Sequence, residues 1–330
     1  MTQDLITVLM PVFNGERYLE SALRSISGQT HQNFEILVID DGSTDATPAI
    51  LEEYRVVDAR LRVIRQANAG ISAALNAGIA AARGALIARM DADDLMLPDR
   101  LEKQAAFLRE YSALGFCASH MEMIDGKGGV FGEYCPKPLS LDDLSAQMAR
   151  EEAITYTHPT VMYRADVVRR LGGYDSRYEP CEDMELFGRM ILAGWPGLVL
   201  PEKLMQYRMH GGSISGSKAA LQVRIRDYVR RDFYARRAGR APLSRAEFER
   251  EIAAMDWTER MAYGAYIRSE GYRQIATYRK AGRRRVAWLG YLALAATLRP
   301  MRTLRYVGLK LATQNRGAAA AVRHSSRIAG

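Results

Sequence analysis

With 330 residues and 48% hydrophobic side chains, the chain can bury a sizeable core, which excludes wholesale disorder. Its three cysteines, Cys117, Cys135 and Cys181, show no CxxC spacing; that excludes a zinc ribbon or a disulfide framework and suits a reducing compartment. The net charge of +8 hides an asymmetry: residues 218–330 hold 25 Lys+Arg against 8 Asp+Glu, a balance of +17, and residues 1–217 are left with −9, so an anionic surface, membrane or nucleic acid, is the expected partner of the basic part.

The first stretch, MTQDLITVLMPVFNGE, has no basic n-region, and no secretory signal is expected. Residues 6–10 (ITVLM) read as a buried strand and 17–27 as an amphipathic helix with Leu19, Leu23 and Ile26 on one stripe. Residues 34–39 (FEILVI) are a second strand, 45–57 a helix with Asp45 as N-cap, and 61–64 a third strand. A helix over 71–84 is expected to stop at Gly84 as its C-cap, followed by a fourth strand over 85–90 and a helix started by Pro98. Residues 115–134 read as a hairpin turning at DGKGG, 157–164 as a strand, 165–173 as a short helix stopped by glycines, 182–194 as a helix opening on two acids, and 197–210 as a strand region ending near His210. After about residue 216 the pattern is helical and Arg-rich. The βαβαβαβ order implies an α/β fold with a mostly parallel sheet, whose ligands bind beyond the carboxyl ends of the strands.

Five stretches fall where chemistry is expected. In VIDDGSTDAT, Asp40 and Asp41 arrive at a strand end, where a carboxylate can accept from a base or a ribose and Phe13 can stack; an ordinary turn and N-cap reads the same residues. Asn68, Gly70 and Asn76 bracket a helix start whose open N–H groups suit a diphosphate, or simply a glycine turn. The sharpest signal is RMDADDLMLPDR, with Asp91, Asp93, Asp94 and Asp99 close together after an apolar run. Two carboxylates about 5 Å apart repel by roughly 3 kcal/mol at an effective dielectric of about 20, so such a cluster must be solvated, partly protonated or holding a cation. Asp91 and Asp93 project from one side of an extended segment, as oxygen ligands for Mg²⁺ or Mn²⁺ would. Glu182 and Asp183 open a helix, where one can act as general base toward a hydroxyl or merely satisfy the dipole. Arg208 and His210 follow a strand, and His210 is either a metal or phosphate ligand or structural.

Read in order, TVLMPVFNGE, VIDDGSTDAT, NAGISAALNAG, RMDADD, HPTVMYR, LGGYD, EDMELFGRM and YRMHGGS resemble the family 2 glycosyltransferases over about residues 5–215. The resemblance implies a GT-A fold over residues 1–216 and a basic helical tail over 217–330. It implies an inverting transfer of a sugar from a nucleotide-sugar donor, a UDP-sugar by the fit of Asp41 and Phe13, to a hydroxyl of a saccharide or lipid-linked acceptor in bacterial cell-surface polysaccharide or glycolipid synthesis. Pro11, Phe13 and Asp41 match the nucleoside positions, and Asn68, Gly70 and Asn76 the loop beside the diphosphate. Asp91 and Asp93 match the ends of the DxD motif, with a divalent metal, Mn²⁺ or Mg²⁺, at Asp93 and His210. Asp183 matches the catalytic base; His158, Gly173, Tyr174 and Glu182 match the acceptor side. The chain departs from many relatives at Leu75, where they carry Arg.

In the tail, Arg279, Lys280, Arg283, Arg284 and Arg285 precede 13 uncharged residues, 286–298, too few for a bilayer span of about 20. With Pro300 interrupting and Trp288 and Tyr291 at hand, a peripheral helix pair on an anionic membrane surface is expected, at the inner face of the cell membrane from the cytoplasm; a helical subdomain is the alternative. A metal-dependent nucleotidyltransferase would want a Gly-rich basic loop after the first strand, and PVFNGE is none. A nucleic-acid-binding protein would want interleaved aromatics in its tail, and no nucleic acid is expected.

Overall fold

In the computed structural model the described residues are 5–210, 219–281 and 285–298. Among them nine strands make one sheet: β1 (Ile6–Val12), β2 (Phe34–Asp40), β3 (Leu61–Arg65), β4 (Leu86–Arg89), β5 (Leu95–Met96), β6 (Phe116–Ile124), β7 (Val130–Tyr134), β8 (Met162–Arg164) and β9 (Gly197–Arg208). Their spatial order is β3-β2-β1-β4-β8-β6-β9-β5, with β7 paired to β6. The β3-β2-β1-β4 half is parallel throughout. β8 then runs antiparallel to β4 and β6, while β6 and β9 pair in parallel and β5 closes the edge antiparallel to β9.

Helices cover both faces. They are α1 (Leu19–Ser27), α2 (Thr47–Val57), α3 (Ile71–Ala81), α4 (Arg100–Glu110), α5 (Leu141–Ala149), α6 (Ala165–Arg170) and α7 (Glu182–Leu192), followed by α8 (Ala219–Arg237), α9 (Arg245–Ala254), α10 (Trp257–Ala281) and α11 (Arg285–Leu298). Strand alternation sorts the core into two layers. Ile6, Val8, Met10 and Val12 of β1 face Leu19, Leu23 and Ile26 of α1 and Leu51 of α2. Leu9, with Leu37 and Ile39 of β2, faces Leu75 and Ile79 of α3, in one layer with Leu186 and Phe187 of α7. Both faces being covered, β1 and β2 are near-continuous apolar runs, as buried parallel strands require.

Packing divides the chain into two units, Met1–Met209 with Ile225–Phe248, and His210–Arg224 with Glu249–Gly330. So a stretch of the basic region, the larger part of α8 and the start of α9, belongs to the sheet-bearing unit. In the second unit α10 and α11 pack together, with Ala295 fully buried and Ser269 Oγ donating to its carbonyl at 3.2 Å. Arg283, Arg284 and Pro300 lie outside the described residues, as do the side chains of Arg279, Lys280, Arg285, Trp288 and Tyr291.

Some local expectations shift. α3 ends at Ala81 and Ala82 caps it; Gly84 is needed instead because a Cβ there would stand 2.5 Å from the Thr7 amide nitrogen of β1. α2 begins at Thr47, and Asp45 holds the turn before it by accepting from the Thr47 and Glu16 amides. The stretch read as a strand from residue 157 opens with a 3-10 turn, His158–Thr160, before β8. The hairpin forms as expected: Asp125 closes its turn by accepting from the Lys127 and Gly129 amides.

Candidate active site

β4 carries the chain to the carboxyl edge of the parallel half, where the acid cluster begins. One carboxylate oxygen each from Asp91, Asp93 and Asp94 lies within 4.8 Å of the others. Three buried arginines surround this loop. Arg89, only 2% exposed, places Nη1 2.6 Å from Asp91 Oδ2. Arg100, fully buried, donates to the carbonyls of Arg89 (2.8 Å) and Val161 (3.2 Å) and to Gln104 (2.9 Å). Burial, with the Arg89 charge beside it, brings the Arg100 guanidinium down to about 9. Arg208 ends β9; its amide donates to Asp94 Oδ1 (2.7 Å), its Nε to the Asp93 carbonyl (2.7 Å) and its Nη1 to the Asp125 carbonyl (3.2 Å), with its guanidinium over the Tyr18 ring. The DADD loop is thus pinned from β4 by Arg89 and from β9 by Arg208, which also reaches the hairpin turn.

The acids are unequal. Asp94 is fully buried, and burial followed by the Asp93 and Asp91 charges lifts it well above the carboxylate range; its Oδ2 has no hydrogen-bond partner. Asp91 is raised by burial and opposed by Arg89. An orphaned buried carboxylate oxygen beside two more carboxylates is a donor set that fits a hard divalent cation. Asp99 lies apart, paired with Lys103 at the start of α4.

Glu182 and Asp183 form the first turn of α7. Asp183 is partly exposed, and burial lifts it to about 6 while its hydrogen bond from the Met184 amide (2.8 Å) and the Arg89 charge hold it down; the Asp91 charge also bears on it. Glu182, 5% exposed with Oε2 unpartnered, is lifted to about 8 by burial and by Asp183. At neutral pH one of the pair is charged. Folding therefore adds a proton to Glu182 between pH 4.5 and about 8, so stability tied to this proton is full below 4.5 and lost as pH rises through 8. Glu182→Gln should leave the Tm nearly unchanged at pH 5 and raise stability by about 2–4 kcal/mol at pH 8.5; melting curves at the two pH values check this.

On the nucleoside side, Phe13 is 51% exposed at the end of β1, next to half-buried Pro11. Asp41 is a latch: Oδ1 accepts from Gln66 Nε2 (2.7 Å) and the Ala69 amide (3.0 Å), Oδ2 from the Gly70 amide (3.0 Å). This fixes the loop that carries exposed Asn68. The N-terminus of α3 is met by Glu179, whose Oε1 accepts from the Ser72 amide at 3.1 Å beside Gly70.

Asn76 is committed elsewhere than the expected diphosphate loop. Its Nδ2 donates to the Tyr174 carbonyl and its Oδ1 accepts from the Tyr174 amide, both at 2.8 Å. The clamp needs Gly173, at φ +71°, because a Cβ there would lie 2.2 Å from Asn76 Oδ1. Gly173→Ala should cost about 1–3 kcal/mol in denaturant unfolding. Tyr174 in turn shares a 2.7 Å hydrogen bond with His158 Nε2, and both are buried; burial with the Arg89 charge pushes the His158 imidazole well below its usual range. These residues form one wall rather than an exposed face. Leu75, at the departure noted above, is fully buried against the sheet. His210 is the first residue of the second unit and half-buried.

So Asp91, Asp93 and Asp94 cluster, the charges of Asp183 and Glu182 couple to Arg89, and Tyr174, His158, Asn76 and Gly173 stand together. Sequence reasoning missed Arg89, Arg100 and Glu179. The signal for Arg89 was an arginine inside the apolar run ALIARM, directly before the acids; Glu179 left none.

Residues 7–172 match the family described as glycosyl transferase family 2. The putative teichuronic acid biosynthesis glycosyltransferase TuaG of Bacillus subtilis (strain 168) is 28% identical over 227 residues, 66% of this chain and 83% of that one. Among solved structures, a mannosyltransferase from Pyrobaculum calidifontis in complex with GDP-Man and Mn²⁺ aligns with a TM-score of 0.54 at 19% identity, over 94% of this chain and 81% of that one. A fragment of S. aureus TarS in complex with UDP-GlcNAc aligns with a TM-score of 0.55 at 18% identity, over 90% and 91%. Both likenesses are in the GT-A-type fold.

Proposed function

The chain belongs to glycosyl transferase family 2 and is a glycosyltransferase; from that premise we propose that it transfers a sugar, with inversion, from a UDP-sugar to a hydroxyl of a saccharide or lipid-linked acceptor in bacterial cell-surface polysaccharide or glycolipid synthesis. The observation that carries the reading is the cluster of Asp91, Asp93 and Asp94 beside the buried Arg89, whose charge also bears on Asp183 at the start of α7. Asp183, charged above about pH 6, takes the proton of the attacking acceptor hydroxyl. Phe13 and Pro11 hold the base, and Asp41 keeps the 66–70 loop beside the diphosphate. Asp93, with Asp94 behind it, would hold Mn²⁺ or Mg²⁺, which would supply positive charge to the leaving diphosphate. With one base and no enzyme nucleophile, the substitution is a single displacement.

Support for a UDP donor and Mn²⁺ comes from the resemblance of Phe13 and Asp41 and from the fold shared with proteins solved with UDP-GlcNAc and with GDP-Man and Mn²⁺. A thermal-shift panel of UDP-, dTDP- and GDP-sugars, with and without Mn²⁺, tests it. A UDP-sugar-specific, Mn²⁺-dependent rise is expected; a rise with a GDP-sugar alone reassigns the base. Pyrophosphate release from a nucleoside triphosphate and a sugar phosphate would instead establish a nucleotidyltransferase. For the second unit the reading is a peripheral stay on anionic lipid: Trp257, Met261, Leu289 and Leu294 are exposed, and among the described residues no helix is long and apolar enough to cross a membrane. Co-sedimentation with phosphatidylglycerol vesicles that salt reverses is the expected result.

A further inference from the structure

Arg89 spends its buried charge differently from Arg100 and Arg208. Arg100 and Arg208 both donate to main-chain carbonyls, and so tie segments together. Arg89 is 98% removed from solvent, yet its Nε and Nη1 make no aligned hydrogen bond; its close partner is the Asp91 carboxylate, Nη1 to Oδ2 at 2.6 Å. Its own backbone is already fixed without the side chain, the amide donating to the Val161 carbonyl (2.9 Å) and the carbonyl accepting from Arg100 (2.8 Å). A buried guanidinium costs several kcal/mol in desolvation, and a single ion pair does not recover that without further hydrogen bonds.

We propose that Arg89 is a positioning residue for the transfer reaction: its buried guanidinium holds Asp91 by Oδ2 and so fixes the orientation of that carboxylate beside Asp93 and Asp94. This rests on the glycosyltransferase reading with a metal at the DADD loop. The same charge reaches Asp183, Glu182 and His158, each of whose ordinary ionisation it alters. Asp91 is not the metal's principal ligand on this geometry, because the oxygen nearest Arg89 is already engaged. Groups that orient a ligand in this way cost about 10–100-fold in metal affinity or activity when removed.

The experiment compares the full-length wild type with R89K, R89M, D91N, R89M/D91N and D93N, reading apparent Mn²⁺ affinity by calorimetry with UDP, and with GDP, as the nucleotide, and kcat with the best donor. R89M should weaken Mn²⁺-dependent nucleotide binding and lower kcat by about 10–100-fold, R89K should recover most of both, and R89M/D91N should be no worse than D91N. R89M that folds and binds Mn²⁺ and nucleotide as the wild type does would overturn the proposal, and so would losses that simply multiply in the double variant. If R89M does not fold, R89M/D91N decides. Folding with the D91N phenotype supports an Arg89–Asp91 unit, and failure to fold when D91N folds makes Arg89 a fold residue and ends the proposal. Failure of the underlying reading looks different: the wild type itself then shows no Mn²⁺-dependent binding of either nucleotide, and D93N matches it.

Discussion

Asp183→Asn lowers kcat by about 10²–10⁴-fold and leaves the donor Kd within about twofold, since the amide keeps the shape of the side chain and no donor contact is assigned to it. The case rests on the contrast between two adjacent acids. Glu182, 5% exposed and lifted to about 8 by burial and by the Asp183 charge, holds its proton the more tightly of the two. Asp183, partly exposed and lifted only to about 6, is ionised at neutral pH, with a basicity near the working pH where a general base is most effective. The Met184 amide and Arg89 keep it from following its neighbour upward. Two consequences follow for the wild type. Turnover falls tenfold per pH unit below about 6, as Asp183 takes up its proton, and Glu182→Gln keeps most of the rate, because a glutamine replaces the acid that holds its proton the more tightly. A pH–rate profile of the wild type with single-pH assays of both variants reads all of this. Wild-type turnover in Asp183→Asn would remove it from the base position.

The parallel half of the sheet was legible because each of its units announces itself locally: an apolar run, a turn, an amphipathic stripe. β5 was not, since two residues become a strand only through pairing with β9, some 110 positions away. α5 was passed over although Ser140 and Asp143 spell an N-cap; Ser140 Oγ accepts from the Asp143 amide. In the site, the DADD acids are contiguous and therefore readable. The contacts that hold their loop are not, because Arg208 arrives from β9 and only the fold brings its amide to Asp94 and its guanidinium to the Asp93 carbonyl. Asn76 shows the limit from the other side. Its place near Gly70 in sequence pointed to the diphosphate, while its side chain is spent on Tyr174, 98 residues on.

Asp93→Asn separates function from stability. Asp91 is engaged by Arg89 and Asp94 is buried against the Arg208 amide, whereas at Asp93 it is the main-chain carbonyl that Arg208 holds. On the proposed reading the Asp93 carboxylate is the cation's ligand, and its charge raises both neighbours, Asp91 and Asp94. Without metal, three acid groups within 4.8 Å repel by roughly 3 kcal/mol per ionised pair at an effective dielectric of about 20. Removing one charge relieves part of this, so metal-free Asp93→Asn should melt at or above the metal-free wild type. Its turnover should fall by about 10²–10⁴-fold, the equivalent of roughly 3–5 kcal/mol of charge stabilisation at the leaving group. Chelation should do the same to the wild type, and Mn²⁺ should restore the wild type but not the variant. A variant that melts lower and turns over normally would assign Asp93 to the fold. The opposite pair of results is what a site kept strained for its ligand produces.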